Sequence, residues 1–172
     1  MTPDECITCR KPKATHTCDV CDEAICKKCL NILDLATFTF LKVLPPELKH
    51  TNYCGGCYDT LVAPALDSYN EIMERAEGAF VFFKTQRKEI PLIKKSKEVY
   101  RVLDCPDRDE TILRLAFFAT QAGFNAVIEV EASAEKVRNG AYQTSKWSGS
   151  GVGATVDSDK IDRQDLLNQI YR

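Results

Sequence analysis

The chain has 172 residues, 44% of them hydrophobic, which is enough to bury a core in one domain or two small ones. Its formal charge of -2 and pI near 5.8 give no overall attraction to nucleic acid or to an anionic membrane, so any such partner must be met by a local patch. The opening Met1-Thr2-Pro3-Asp4-Glu5-Cys6 lacks the apolar stretch of a secretory signal, and no later apolar run reaches the ~20 residues of a membrane span, so a soluble, cytoplasmic protein is expected.

Eight of the nine cysteines fall in four CxxC pairs, Cys6/Cys9, Cys18/Cys21, Cys26/Cys29 and Cys54/Cys57, separated by 8, 4 and 24 residues. Two intervening residues let both sulfurs of a pair reach one tetrahedral metal at ~2.3 Å, and four thiolates complete the coordination of zinc. Four pairs therefore imply two closed sites and two structural zinc ions per chain, in a compartment reducing enough to keep thiols available for metal. Adjacent pairing would join the first pair to the second and the third to the fourth. Interleaved pairing puts Cys6, Cys9, Cys26 and Cys29 on one ion and Cys18, Cys21, Cys54 and Cys57 on the other. Interleaving is preferred because it ties both ends of the segment together, and because few large apolar residues precede Leu30, so metal must replace the missing core. Cys105 is left without a pair.

The runs His16-Thr17-Cys18-Asp19-Val20-Cys21, Ala24-Ile25-Cys26-Lys27-Lys28-Cys29, Leu44-Pro45-Pro46 and Tyr53-Cys54-Gly55-Gly56-Cys57-Tyr58-Asp59-Thr60-Leu61 resemble a FYVE-type zinc finger over about a third of the chain. The resemblance implies a cross-brace, treble-clef module over residues 1–60. It does not extend to the family's usual ligand. Members that bind phosphatidylinositol 3-phosphate carry a basic, histidine-containing motif around the third ligand, and the matching stretch here keeps only His16 while Asp19 reverses a charge. Residues 1–57 hold seven Lys/Arg and seven Asp/Glu, and eight thiolates with two Zn²⁺ add a further -4, so an anionic headgroup would meet a net negative module.

After the last cysteine pair, Val62, Ala65, Leu66, Tyr69, Ile72, Met73 and Ala76 recur every three or four residues and predict an amphipathic helix over 59–77, ended by Gly78. Residues 61–78 are read as a connecting helix and 79–172 as a small α+β domain with a mostly antiparallel sheet. Its expected elements are β-type runs at 79–83, 90–93 and 99–103, and a helix over 109–122 capped at Asp107 or Asp109 and stopped by Gly123. A strand over 126–131, a turn at Asn139-Gly140, a strand from Tyr142 to Trp147 and a terminal helix over 161–171 follow. Gly123-Phe124-Asn125-Ala126-Val127-Ile128, with 142–147 and Gly149-Ser150-Gly151-Val152-Gly153-Ala154, resembles YbjQ-type small α+β domains, which implies rings of subunits. Aromatics such as Phe80, Phe82, Phe83, Phe117, Phe118 and Trp147 exceed what one helix can cover, which also argues for a homo-oligomer. Gly149, Gly151 and Gly153 are read as strand-edge or loop positions, since a phosphate loop would need a Lys-Ser/Thr ending and a helix onset.

Lys84, Arg87, Lys88, Lys94, Lys95, Lys97 and Arg101 lie within 18 residues whose only acids are Glu89 and Glu98. They form either the rim of a β-hairpin or a site for an acidic partner. The chemistry as a whole points to a non-catalytic, zinc-binding interaction or scaffolding protein, because four thiolates leave zinc no open position and neither His16 nor His50 has an evident acid-base partner. Its protein partner is not identified by the sequence. Binding of a membrane phosphoinositide or nucleic acid through residues 84–101 is the first alternative. A ubiquitin-ligase-type adaptor is the second, and the four-residue gap and all-cysteine ligand set weigh against it.

Overall fold

The computed structural model describes residues 5–87, 89–140 and 142–161, so Lys88 and nearly all of the expected terminal helix over 161–171 lie outside the described residues. The chain divides into two compact units, Met1–Asn70 and Glu71–Arg172.

Two short antiparallel ladders organise the first unit: β1 (His16–Thr17) with β2 (Ala24–Ile25), and β3 (Asn31–Ile32) with β4 (Asn52–Tyr53). The second ladder closes the 24-residue stretch between Cys29 and Cys54, and Leu33 N–H extends it by donating to Thr51 O at 2.9 Å. That stretch turns through two 3₁₀ segments, Leu35–Phe38 and Pro46–Leu48. It supplies the apolar side chains that the cysteine-rich part lacks: Leu33, Phe38, Leu48 and Tyr53 are buried, as are Val62 and Tyr69 from the following helix. Tyr53 Oη donates to Glu47 O at 2.8 Å, and Tyr69 Oη donates to Thr37 O at 3.1 Å while its ring meets Phe38 edge-on at 5.0 Å. Burial is worth roughly 1.5–3 kcal/mol for each such large side chain, so the first unit has an apolar core beside its cysteines.

Helical structure begins at the last cysteine pair, earlier than the expected residue 59. The short α1 (Gly55–Cys57) runs into a π-helical turn, Tyr58–Val62, and then into α2 (Ala63–Glu77). Pro64 explains the wide turn. Its ring cannot donate and would crowd the carbonyl one α-turn earlier, and the widened hydrogen bond from Ala63 N–H to Tyr58 O relieves that clash.

In the second unit β5 (Phe80–Phe83), β6 (Leu92–Cys105), α3 (Arg108–Gln121), β7 (Ala126–Asn139) and β8 (Tyr142–Val156) form one four-stranded sheet, ordered β5-β7-β8-β6, with α3 on one face. The β7/β8 and β8/β6 pairs are antiparallel and β5/β7 is parallel. Asp107 is the cap of α3, its side chain accepting from Glu110 N–H at 2.7 Å, and Gly123 takes the left-handed conformation after the helix, with φ +84°.

Two expectations are corrected here. Residues 92–93 of the run at 90–93 belong with the run at 99–103 to one strand, β6, while Ile90 and Pro91 precede it. The basic segment 84–101 is not a hairpin rim, because β7 and β8 lie between β5 and β6 and place those two strands on opposite edges of the sheet. The aromatics are distributed over both faces. Phe117, Phe118 and Tyr100 pack on the α3 side, whereas Phe80 and Phe82 cluster with Ala126, Ile128, Val152, Ala154 and Val156 under Ile90 and Ile161. Gly149, Gly151 and Gly153 face the α3 side from within β8. A Cβ on Gly149 would lie 2.6 Å from Thr111 Cγ2, and one on Gly153 would lie 2.6 Å from Phe124 Cδ2, so these glycines serve close packing.

Candidate metal centre

The β1/β2 hairpin sets the grouping of the cysteines. β1 leads directly into Cys18 and β2 directly into Cys26, and because the strands run antiparallel their ends deliver ligands in opposite directions. The eight sulfurs accordingly gather as Cys6, Cys9, Cys26, Cys29 and as Cys18, Cys21, Cys54, Cys57, the interleaved arrangement, with all Sγ atoms of each quartet within 4.8 Å of one another.

Each quartet begins with the same turn. Arg10 N–H donates to Cys6 O at 2.8 Å and Cys6 N–H to Lys11 O at 3.0 Å; Asp22 N–H donates to Cys18 O at 3.0 Å and Cys18 N–H to Glu23 O at 2.9 Å. The residue after the second cysteine is left-handed in both, with φ 59° at Arg10 and 58° at Asp22. Sequence reasoning missed this repeat, because glycine, the usual mark of such a conformation, stands at neither place. The second halves differ. Cys26 and Cys29 share a tight turn, Cys29 N–H donating to Cys26 O at 2.9 Å, whereas Cys54 caps α1 and Cys57 closes it.

A tetrahedral ion with ~2.3 Å bonds to sulfur requires sulfurs about 3.8 Å apart. Cys9 Sγ and Cys26 Sγ are separated by 3.7 Å, and Cys21 Sγ and Cys54 Sγ by 3.9 Å, so both quartets fit a metal ion. Main-chain donors support the charge that thiolates would carry. Cys54 N–H donates to Cys18 Sγ at 3.3 Å and Cys57 N–H to Cys54 Sγ at 3.4 Å. Burial raises the Cys6 thiol, but the N–H groups of Cys26, Cys9 and Thr8 outweigh it and bring the pKa down to about 6. At Cys18 burial is likewise outweighed by N–H groups of Cys21, Cys54 and Val20, which bring it down to about 7. Cys29 is pushed up to about 12 by the sulfurs of Cys9 and Cys26, and Cys57 is raised by burial and by the sulfurs of Cys54, Cys21 and Cys18. Each quartet thus crowds thiols that cannot all ionise until a dication joins them.

Asp19, which reverses a charge relative to the lipid-binding motif, also has a structural role that the sequence does not signal. Its carboxylate accepts from Thr51 N–H at 3.0 Å and Asn52 N–H at 2.8 Å, and its own N–H donates to Asn52 O at 2.9 Å, tying the Cys18/Cys21 turn to the strand that precedes Cys54. His16 lies in β1 opposite Ile25, and the His50 ring meets that of Tyr53 at 6.3 Å; neither belongs to a quartet. Cys105 is buried in the second unit and belongs to neither quartet.

The basic residues are dispersed. Lys84 pairs with Glu131 at 2.9 Å, Lys95 pairs with Glu129, and Lys94 lies 6.0 Å over the Phe124 ring. Arg87, Lys97 and Arg101 are exposed, and Lys88 lies outside the described residues. Among the described residues no helix is long and apolar enough to cross a membrane. No family model, no curated protein and no solved structure matches the chain.

Proposed function

We propose that the chain is a non-catalytic zinc protein of the cytoplasm, in which two Zn²⁺ ions brace a FYVE-like interaction module and the molecule works as a scaffold for other proteins. The observation that carries this reading is the pair of interleaved all-cysteine quartets, with sulfur separations that match a tetrahedron. Four thiolates per ion favour a structural role over a catalytic one, since no coordination position is left for substrate. All-sulfur tetrahedral sites suit zinc or iron. Metal analysis of the purified chain should find two zinc ions per chain, and a colourless protein; one ion, or the visible absorption of iron-thiolate, would overturn the assignment. The module is not proposed to bind phosphatidylinositol 3-phosphate, because Asp19 stands where a base is needed and its carboxylate is engaged with main-chain N–H groups. Sedimentation with liposomes containing that lipid at physiological salt should leave the chain in the supernatant. Pelleting would reinstate the lipid-binding alternative.

A further inference from the structure

Four of the nine large apolar side chains exposed among the described residues lie on one strand: Leu92, Ile93, Val99 and Leu103 of β6 are 47%, 68%, 51% and 74% exposed. β6 is one of the two edge strands of the sheet, and no strand among the described residues pairs with its outer edge. From Val99 to Val102 its inner edge keeps an unbroken register with β8, opposite Val152, Gly151, Ser150 and Gly149. Alternation turns Tyr100 and Val102 into the core beneath α3, and leaves Val99, Arg101 and Leu103 along the exposed face of the edge.

Exposed sheet edges invite pairing, and charged side chains on them decide which strand is accepted. Lys95 and Lys94 are already engaged, by Glu129 and by the Phe124 ring. Arg101 stands between two exposed aliphatic side chains and has no ion-pair partner among the described residues, while the exposed Lys97 and Glu98 precede Val99 with opposite charges.

We propose that the outer edge of β6 over residues 99–103 accepts an extended segment of a partner protein, with an aliphatic, an acidic and an aliphatic side chain at alternate positions. This rests on the reading of the chain as an interaction protein, and names the surface and the chemistry of what it takes. Main-chain hydrogen bonds along the edge supply affinity, and the alternate side chains supply selection. An acid directly opposite Arg101 gains a cross-strand ion pair, whereas a base there is repelled. The aliphatic positions on either side cover Val99 and Leu103.

The test uses the full zinc-loaded chain and labelled peptides of the pattern valine-threonine-glutamate-threonine-leucine, followed by fluorescence anisotropy. The glutamate peptide should bind, and its counterpart with lysine at the centre should bind at least about tenfold more weakly. Arg101→Glu, at an exposed site whose folding is checked by the emission of Trp147, should invert that preference. N-methylation of alternate peptide amides, which removes donors but keeps the side chains, should abolish binding. Equal binding of the methylated peptide, indifference to the central charge, or no binding would overturn the proposal. So would an Arg101-dependent affinity for a single-stranded oligonucleotide in place of the peptide. A light-scattering mass that is a multiple of 19.3 kDa and falls to one chain in Arg101→Glu would also overturn it, by making a second copy the occupant. If the peptides fail but wild type and Arg101→Glu retain the same cross-linked proteins from lysate, the edge proposal falls and the scaffold reading stands; if neither retains any, both fall.

Discussion

Asp19 carries more of the first unit than its exposed position suggests. Three hydrogen bonds connect it to Thr51 and Asn52 across the gap between two cysteine pairs, and Asp19→Ala removes the two that its carboxylate accepts. With solvent screening discounted, the expected loss is about 1 kcal/mol, read as a lower melting temperature at unchanged metal content. The N–H groups of Asn52 and Thr51 hold its carboxyl below the ordinary value of 3.8. A depressed acid contributes stability that is complete above its unfolded pKa and disappears as the pH falls through the lower folded one. The difference in stability between wild type and Asp19→Asn should therefore be constant at neutral pH and shrink below about pH 4. Cys26→Ser should lose one metal ion and unfold the first unit, since the binding energy of such a site is folding energy, whereas Cys105→Ala should keep the full metal content. The cysteine chemistry was legible because a CxxC spacing is local and only a few metals suit four thiolates. The role of Asp19 was not, because its partners lie 32 and 33 residues away.

Close packing fixes three glycines of β8. Alternation places Gly149, Gly151 and Gly153 on the side where α3 and Phe124 approach, and a Cβ on Gly149 would also come within 3.0 Å of Glu131 O, a main-chain atom that cannot swing aside. Gly149→Ala should cost about 1–3 kcal/mol by overpacking, while Gly56→Ala, with nothing within 4 Å, should be close to neutral; chemical denaturation of the two variants is the comparison. Helix, turn and the starts of the last two strands were legible in this unit from periodicity, from Asp107 and Gly123 at the ends of α3, and from the Asn139-Gly140 pair, but β7 and β8 run on to Asn139 and Val156, past the expected ends at 131 and 147. The pairing order was not legible. Neighbouring runs in the sequence suggested a β5/β6 hairpin, but β5 is completed by β7 far along the chain, and Asn125 secures the β7/β8 end by donating to Val156 O and accepting from Val156 N–H at 3.0 and 2.9 Å.

Each unit has its own source of stability: two cysteine quartets with a small apolar core in one, a helix-covered sheet in the other. Trp147 is the chain's single tryptophan and lies in β8, so it reports on the second unit alone. A strong chelator should abolish the near-ultraviolet circular dichroism of Tyr53, Tyr58 and Tyr69 while leaving the emission of Trp147 unchanged. A simultaneous loss of both signals would show that metal holds the entire chain. Loading should also release protons, because Cys29 and Cys57 stay protonated at neutral pH without metal, so the apparent affinity should fall as the pH is lowered.

The interleaved ligand order imposes a sequence in time as the chain is synthesised. Six cysteines have emerged by residue 29, while Cys54 and Cys57 are still to come, so a first ion meets three candidate pairs of which only two belong together. In the folded chain the β1/β2 hairpin separates them: Cys26 lies with Cys6 and Cys9, and Cys18 and Cys21 lie with the fourth pair. A chain in which this two-rung ladder loses its register should therefore be open to the adjacent pairing, with the first pair joined to the second and the third to the fourth.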